Sequence, residues 1–301
     1  MRASVIITTY NQPDQLEKVL WGYASQTHRD FELIVADDGS GPETAEVIDR
    51  VAAASALDVI HIRHDHRGFR KTEILNRAIL VASSEYLIFS DGDCIPRDDF
   101  VAMHTRLAEP GRFLSGGYLK LPRDVSASIQ VDDVRSGAVT SSAWLRERGW
   151  HPGKRAFRLL RRRSLAFLLD SITPTRRTWN GHNSSAWKEA IVRANGFDTD
   201  MGYGGLDRAL GERLMNAGIR GRQVRHRTPC LHLHHERPYA DATKWKRNHE
   251  IRARIRRNRE TRAVHGIAEL APDDSFLVRR PGETETPSGA RLAPDLRGAV
   301  A

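Results

Sequence analysis

The chain has 301 residues, 28% charged and 40% hydrophobic, with a formal net charge of +9. This is an ordinary globular composition, long enough for one large α/β domain with an appendage or two small domains. The positive balance implies anionic partners: nucleotide phosphates, an anionic membrane surface or nucleic acid. The only cysteines, Cys94 and Cys230, are far apart and lack metal spacing, which excludes a disulfide framework. No apolar run reaches the roughly 18 residues that span a bilayer.

Taken in order, Ser4-Val5-Ile6-Ile7-Thr8-Thr9 is β-branched and apolar and reads as a buried parallel strand. It lacks the apolar core of a signal peptide, so the expected location is cytoplasmic, with peripheral contact at the inner membrane face as the alternative. Tyr10-Asn11-Gln12-Pro13 is turn chemistry leading into a helix from Pro13 to Ser25. Phe31 to Ala36 predicts a second strand, ending in Asp37-Asp38-Gly39-Ser40. A helix from Pro42 to Ala54, a strand from Val59 to Arg63 and a helix from Lys71 to Ala82 follow. Strands alternating with helices predict a doubly wound, mostly parallel sheet with helices on both faces.

Glu85 to Phe89 reads as the next strand and closes on Ser90-Asp91-Gly92-Asp93-Cys94. Residues two apart on an extended chain share a side, so Asp91 and Asp93 can converge on one target. Two such carboxylates suit a hard divalent cation, Mn²⁺ or Mg²⁺, which in turn holds a diphosphate. Isolated, the same tripeptide reads first as a solvated turn. Thr8 to Asn11, Asp37-Asp38 and Asp91 to Asp93 all fall at strand ends, which an open α/β sheet gathers at one edge. The chain has neither Gly-x-Gly-x-x-Gly nor a P-loop, so phosphate must be handled by metal and cations. Arg67, Arg70 and Lys71 stand just ahead of a helix, where its dipole also favours anions.

A helix to Leu107 and a strand over Phe113 to Leu119 are expected next. Residues 123–178 break the alternation with Gly137, Gly149 and an Arg-rich run. The reading for 154–170 is a basic amphipathic helix with Phe157, Leu160, Phe167 and Leu168 on one side. A membrane-interfacial helix and a packed helix with a cationic outer face both fit it. Asn195-Gly196 ends a short helix from Lys188, and Met201 to Gly205 is a glycine-dense loop before a helix starting at Asp207, a residue that could serve as an N-cap. His232 and His234 share one side of an extended segment, and histidine with distant carboxylates can form a divalent-metal site. An Arg-rich helix over 241–264 and a flexible tail from Pro272 complete the pattern.

Together these segments resemble the family 2 glycosyltransferases with the GT-A fold over residues 3–240. Four pieces occur in the family's order: Ser4 to Asn11, Phe31 to Ser40, Asp91-Gly92-Asp93 as an Asp-x-Asp motif, and Gly181-His182-Asn183-Ser184 through Asn195-Gly196-Phe197-Asp198 to Gly204-Gly205-Leu206-Asp207. The last is similar to the C-terminal half of galactosyl- and N-acetylgalactosaminyltransferases. The resemblance implies a nucleotide-sugar-binding half over 1–120 and a basic insertion over 121–178 that faces membrane or acceptor. A donor/acceptor half over 179–240 and the Arg-rich helix and tail over 241–301 follow.

By the same resemblance Thr8, Tyr10 and Asn11 contact the nucleotide, Asp38 the uracil, Arg70 the base or phosphates, and Asp91 the ribose or metal. Asp93 and His234 ligate Mn²⁺ or Mg²⁺, with His232 the second candidate. Trp179, Gly181, Asn183 and Gly205 line the donor-sugar and acceptor pocket, with Trp179 or Trp187 offering an apolar face to a sugar ring. Asp207 is the implied catalytic base. The family's usual acid before it is replaced here by Leu206. The implied activity is metal-dependent, inverting transfer from a UDP-sugar, galactose or N-acetylhexosamine favoured, to a hydroxyl of a glycan or lipid-linked acceptor, without a nucleic-acid partner. The competing readings are a nucleotidyltransferase, which would release pyrophosphate, and a non-catalytic binder of anionic surfaces, whose binding would be salt-sensitive.

Overall fold

Four strands carry the apolar runs: β1 (Ala3–Thr9), β2 (Phe31–Asp37), β3 (Asp58–Arg63) and β4 (Tyr86–Asp91). They pair in parallel in the order β3-β2-β1-β4, with Thr8 of β1 opposite Asp91 of β4. The intervening helices are α1 (Pro13–Ala24), α2 (Pro42–Ala53) and α3 (Lys71–Val81). Strand side chains alternate between two cores. Val5, Ile7, Leu33, Val35 and Ile88 pack with Leu16 and Leu20 of α1 and Ile48 of α2. Ile6, Ile34, Leu87 and Phe89 pack with Ile74, Leu75 and Ala78 of α3. Covering on both faces is why these strands read as continuous hydrophobic runs. Strand order reverses at β1, which opens a crevice beyond the carboxyl ends of β1 and β4.

The structure, a computed structural model, describes residues 1–301 except 152, 237–241, 283–285 and 288–301. The chain continues through β5 (Cys94–Pro96), β6 (Arg112–Ser115), β7 (Gly117–Lys120), β8 (Asn183–Trp187), β9 (Arg220–Gln223), β10 (Pro229–His232), β11 (Leu277–Arg279) and β12 (Thr286–Pro287). The nine-stranded sheet runs β12-β11-β3-β2-β1-β4-β8-β6-β9, and β5-β10-β7 form a second, three-stranded sheet. The remaining helices are α4 (Phe100–Leu107), α5 (Arg123–Ser128), α6 (Val131–Arg135), α7 (Ser142–Glu147), α8 (Arg163–Ile172), α9 (Lys188–Arg193), α10 (Leu206–Asn216) and α11 (Ala242–Asn258).

Three expectations change. The strand over Phe113 to Leu119 is two, because the chain leaves the large sheet at Gly116 and enters the small one. A Cβ on Gly116 would meet Asn183 Oδ1 at 1.8 Å, so only hydrogen fits at the bend. The basic helix over 154–170 is a 3₁₀ stretch, Gly153–Leu159, then a break and α8. Part of the expected flexible tail is β11, antiparallel to β3 from Leu277↔Arg63 to Arg279↔His61. Tail residues 283–285 and 288–301 lie outside the described residues.

Candidate active site

At the carboxyl ends of β1 and β4 a cleft of about 1030 Å³ opens, bounded opposite by the Tyr203–Gly205 loop and α10. Its floor is Thr8-Thr9-Tyr10 from β1 and Asp91-Gly92-Asp93 from β4. Gly92 packs directly on β1: its N–H donates to Thr8 O at 2.7 Å, and a Cβ there would come within 2.8 Å of the same oxygen. Glycine thus lets the acidic turn fold back onto the neighbouring strand.

Asp91 is held from two sides. Thr8 Oγ1 donates to its Oδ1 at 2.9 Å, and Lys71 Nζ, at the start of α3, donates to the same atom at 2.6 Å. Burial favours the neutral acid, but the Lys71 charge and hydrogen bond outweigh it and hold the carboxyl well below its usual range. Reciprocally, burial opposes the charge on Lys71, while Asp91 and then Asp207 stabilise it and raise the ammonium above its ordinary value. His182, across the cleft, is lowered to about 4, chiefly by burial against the opposing pull of Asp91. It is therefore a neutral ring at pH 7 and stands edge-on to Tyr118 at 4.5 Å between centroids.

Asp93 faces a different set of partners. His235 Nε2 lies 3.1 Å from its Oδ2, His232 Nε2 lies 3.9 Å away, and the two imidazoles stack at 5.3 Å. Asp93, Cys94 and His232 present ligand atoms within 4.8 Å of one another. Register explains this: β10 is antiparallel to β5, with His232 opposite Cys94. Burial keeps the Cys94 thiol protonated, which leaves one carboxylate and two imidazoles. That mixed oxygen–nitrogen donor set accepts a borderline cation such as Mn²⁺ more readily than Mg²⁺.

Asp207 is the second residue of α10, after Gly205, whose φ of 88° makes the left-handed turn into the helix. Its Oδ1 is buried with no hydrogen-bond partner. Burial raises its carboxyl to about 6, with Lys71 pulling the value down and Asp91 pushing it up. Gly181 leaves the room: a Cβ there would meet Asp207 Oδ1 at 2.4 Å. Leu206, in the position of the missing acid, is 4% exposed and packs into the core with Leu210 and Ile251. The cleft therefore presents one carboxylate on this wall, where the resembling family presents two.

The structure brings Thr8, Tyr10, Asp38, Asp91, Asp93, Gly205 and Asp207 to the cleft. Tyr10 is 38% exposed and stacks on His66 at 4.6 Å. Asp38 is fixed by His64 Nε2 at 2.7 Å and by the Arg70 backbone N–H at 3.1 Å. Other expected site residues lie elsewhere. Asn11 braces two loops, its Oδ1 accepting from Gly41 N and its own N–H donating to Ser40 Oγ, both at 2.9 Å. The Arg70 guanidinium is turned away from the cleft, onto Glu73 at 2.7 Å and Asp273 at 2.6 Å.

Trp179 is no sugar platform: it is 0% exposed and wedged between Phe89 and Phe113. Trp187, next in line for that role, packs edge-on against buried Tyr86. Asn183 is also fully buried, donating to Gly117 O at 2.9 Å and to Thr228 O, with His104 Nε2 3.0 Å from its Oδ1. His234 does not reach Asp93. Its main-chain N–H donates to Ser126 Oγ, and His235 takes the place beside the carboxylate. β10 ends at His232, so the two-residue alternation that paired His232 with His234 stops there. Lys71, His182 and His235 are cleft residues absent from the expected site. Lys71 is legible in the sequence as a cation at a helix start, and His182 as part of the Gly181-His182-Asn183-Ser184 piece.

Residues 4–119 match the family model described as Glycosyl transferase family 2. The chain is 29% identical over 226 residues to a validoxylamine A glucosyltransferase of Streptomyces hygroscopicus subsp. jinggangensis, covering 72% of this chain and 52% of that protein. It is 34% identical over 110 residues to an uncharacterized glycosyltransferase, YfnE, of Bacillus subtilis, covering 36% and 27%. The hyaluronan synthase of Pasteurella multocida is 32% identical over 107 residues, 35% of this chain and 11% of the synthase. The chain thus spans about half or less of the length of these curated relatives.

Among solved structures, S. aureus TarS 1-349 in complex with UDP-GlcNAc superposes with a TM-score of 0.57 at 13% identity, covering 89% of this chain and 69% of that one. A mannosyltransferase from Pyrobaculum calidifontis in complex with GDP-Man and Mn²⁺ gives 0.53 at 23%, covering 79% and 58%. At these identities the likeness is one of fold. Residues 4–119 thus match glycosyl transferase family 2, and the α/β architecture with a mostly parallel central sheet is shared with these solved glycosyltransferase structures.

Proposed function

We propose that the protein is an inverting glycosyltransferase that moves a hexose from a nucleotide diphosphate sugar to a hydroxyl of a glycan or lipid-linked acceptor. One observation carries this reading. A single cleft joins an ionised Asp91 at a strand-end switch point, an Asp93–imidazole cluster, and a half-buried Asp207 with an unpartnered Oδ1 on the facing wall. The resemblance of residues 181–208 to galactosyl- and N-acetylgalactosaminyltransferases favours UDP-galactose or an N-acetylhexosamine donor. The Pyrobaculum structure, with its guanosine nucleotide, keeps GDP-sugars in the test.

The chain's residues divide the work. Tyr10 offers an aromatic face and Asp38 a fixed carboxylate for the nucleoside. Asp93, with His232 and His235, would hold a Mn²⁺ ion, whose charge offsets that of the departing diphosphate. Lys71 keeps Asp91 ionised and lends positive charge beside the same leaving group. Asp207 acts as general base: its carboxylate on the cleft wall accepts the acceptor's hydroxyl proton as that oxygen bonds to the anomeric carbon and the carbon–oxygen bond to the diphosphate breaks. Attack opposite the leaving group inverts the anomeric centre. A carboxyl near 6 suits the task, being ionised at pH 7 yet more basic than an exposed aspartate.

The test is a panel of UDP- and GDP-sugars scored for nucleotide diphosphate release with and without Mn²⁺. Release from at least one donor, lost in Asp93→Ala, is the expected result. Pyrophosphate as the product would transfer the assignment to nucleotidyl transfer.

A further inference from the structure

α8 has one face inside the fold and one outside it. Ala166 and Asp170 point inward, and Asp170 locks the helix to the loop before β10. The His226 N–H donates to its Oδ1 at 2.9 Å, and Arg227 Nε donates to its Oδ2 at 2.7 Å. The outer face carries Phe167, Leu168 and Ile172, which are 53%, 50% and 63% exposed, and Phe157 on the preceding turn is 51% exposed. Elsewhere among the described residues exposed large apolar side chains are scattered singly, which is ordinary; a contiguous patch is not.

In the sequence that flanks these residues Arg155, Arg162, Arg163, Arg176 and Arg177 are all exposed. None of the five enters an ion pair in the described structure; Arg161, their neighbour, is the one committed to Asp98. The only acid between 155 and 177 is the buried Asp170.

We propose that α8 and the turn before it are a docking surface for an anionic lipid bilayer, with Phe157, Phe167, Leu168 and Ile172 entering the headgroup boundary and the five arginines meeting lipid phosphates. Charge selects this occupant. A second copy docking by the same face would bring two unpaired arginine clusters together, because a two-fold contact pairs like with like. An anionic membrane supplies the opposite charge and the apolar depth at once. The helix is already formed and fastened, so docking costs no folding of the segment.

The surface is independent of the transferase reading, since it concerns attachment alone. Where that reading also holds, the surface favours a lipid-linked acceptor: Arg158 of the same turn donates to the backbone oxygen of Tyr118, a residue of the cleft wall.

The test is sedimentation of the full chain with phosphatidylcholine vesicles, with or without about a third phosphatidylglycerol. Binding to the anionic vesicles at least about tenfold above the neutral ones, weakening as salt rises, is expected. Leu168→Ser with Ile172→Ser, which leaves Phe167 and the Arg227 guanidinium 5.3 Å from its ring centroid in place, should abolish retention. Arg162→Ser with Arg163→Ser should weaken binding to the anionic vesicles at least about tenfold and flatten its salt dependence. All four positions are solvent-exposed, and unchanged melting temperatures would verify folding. Wild-type protein that stays in the supernatant with both vesicles, or variants that sediment like wild type, would overturn the proposal. So would a wild-type dimer that Leu168→Ser with Ile172→Ser converts to monomer.

Discussion

Asp207 carries two opposed demands in one side chain. Its buried Oδ1 has no partner and its carboxyl is raised from 3.8 to about 6, so ionising it in the folded state costs up to about 3 kcal/mol. The native state holds a proton that the unfolded chain has released between pH 4 and 6. This contribution to stability is therefore present below about pH 4 and lost as pH rises through about 6. Asp207→Asn should lower transfer at least about 100-fold while raising unfolding free energy at pH 8 by about 1–3 kcal/mol. Loss of activity together with loss of stability would mean that the carboxylate is structural.

Lys71 adds a second readout at the same scale. Its charge lowers the Asp207 carboxyl, so the acid limb of kcat/KM should fall near pH 6 and Lys71→Met should move it to higher pH. A limb that stays in place in Lys71→Met, or moves to lower pH, would remove Asp207 from the proton-transfer role. Local pattern alone allows Asp207 an N-cap role, the resemblance implies a place in the site, and the structure sets it on the cleft lining. Lys71 was visible only as a cation, since its partner Asp91 is 20 residues away and becomes its neighbour only through the parallel pairing of β1 and β4.

The segment from Trp179 into β8 shows how one element can mix two kinds of residue. Asn183 N–H donates to Asn180 O at 3.0 Å, a turn that interrupts the extended alternation. Trp179 therefore enters the core, Gly181 faces Asp207, and Asn183 becomes a buried hydrogen-bond hub. Three residues at odd positions, all expected in the donor pocket, end in three environments. The same failure of parity moved the imidazole beside Asp93 from His234 to His235. Motif spacing places a segment at the cleft, but only the turn geometry says which side chains face it.

The distinction is measurable. Trp179→Ala should cost about 3–5 kcal/mol through the cavity it leaves, and Asn183→Ala about 2–4 kcal/mol through stranded carbonyl oxygens. Both should appear in denaturation midpoints, with donor KM unchanged in the folded fraction. Gly181→Ala should behave in the opposite way, with a near-native midpoint and a transfer rate reduced at least about tenfold, because its Cβ displaces the Asp207 carboxylate. Donor KM rising in folded Trp179→Ala protein would return that residue to the sugar pocket.

At the scale of the whole molecule, the legible part is the part built from local alternation. The first four strands and their helices alternate along the sequence, so hydrophobic period alone reveals them, although β4 pairs with β1 rather than with β3. The far edge does not work that way. β11 pairs with a strand more than 200 positions earlier, and at three residues, Leu277–Arg279, inside a stretch rich in Pro, Gly and charge, it is too short to carry a periodic signal. Yet this segment closes the edge of β3, which would otherwise offer unpaired backbone groups to another chain. Phe276 is 3% exposed with the Arg77 guanidinium 4.8 Å above its ring, and Arg77 also donates to Ala271 O at 2.8 Å. Arg279 reaches Asp49 at 2.7 Å and His61 at 3.2 Å, extending the buried network that ends on Asp37 of β2. Asp273 holds Arg70 away from the cleft. A chain ending at residue 270 should thus lose at least about 3–5 kcal/mol from the Phe276 packing alone, and should associate through the bared β3 edge. Light scattering and thermal melting decide the matter: the shortened chain is expected to melt lower and form larger species. A monomer with the midpoint of the full chain would mean that β11 merely lies on β3 without stabilising it.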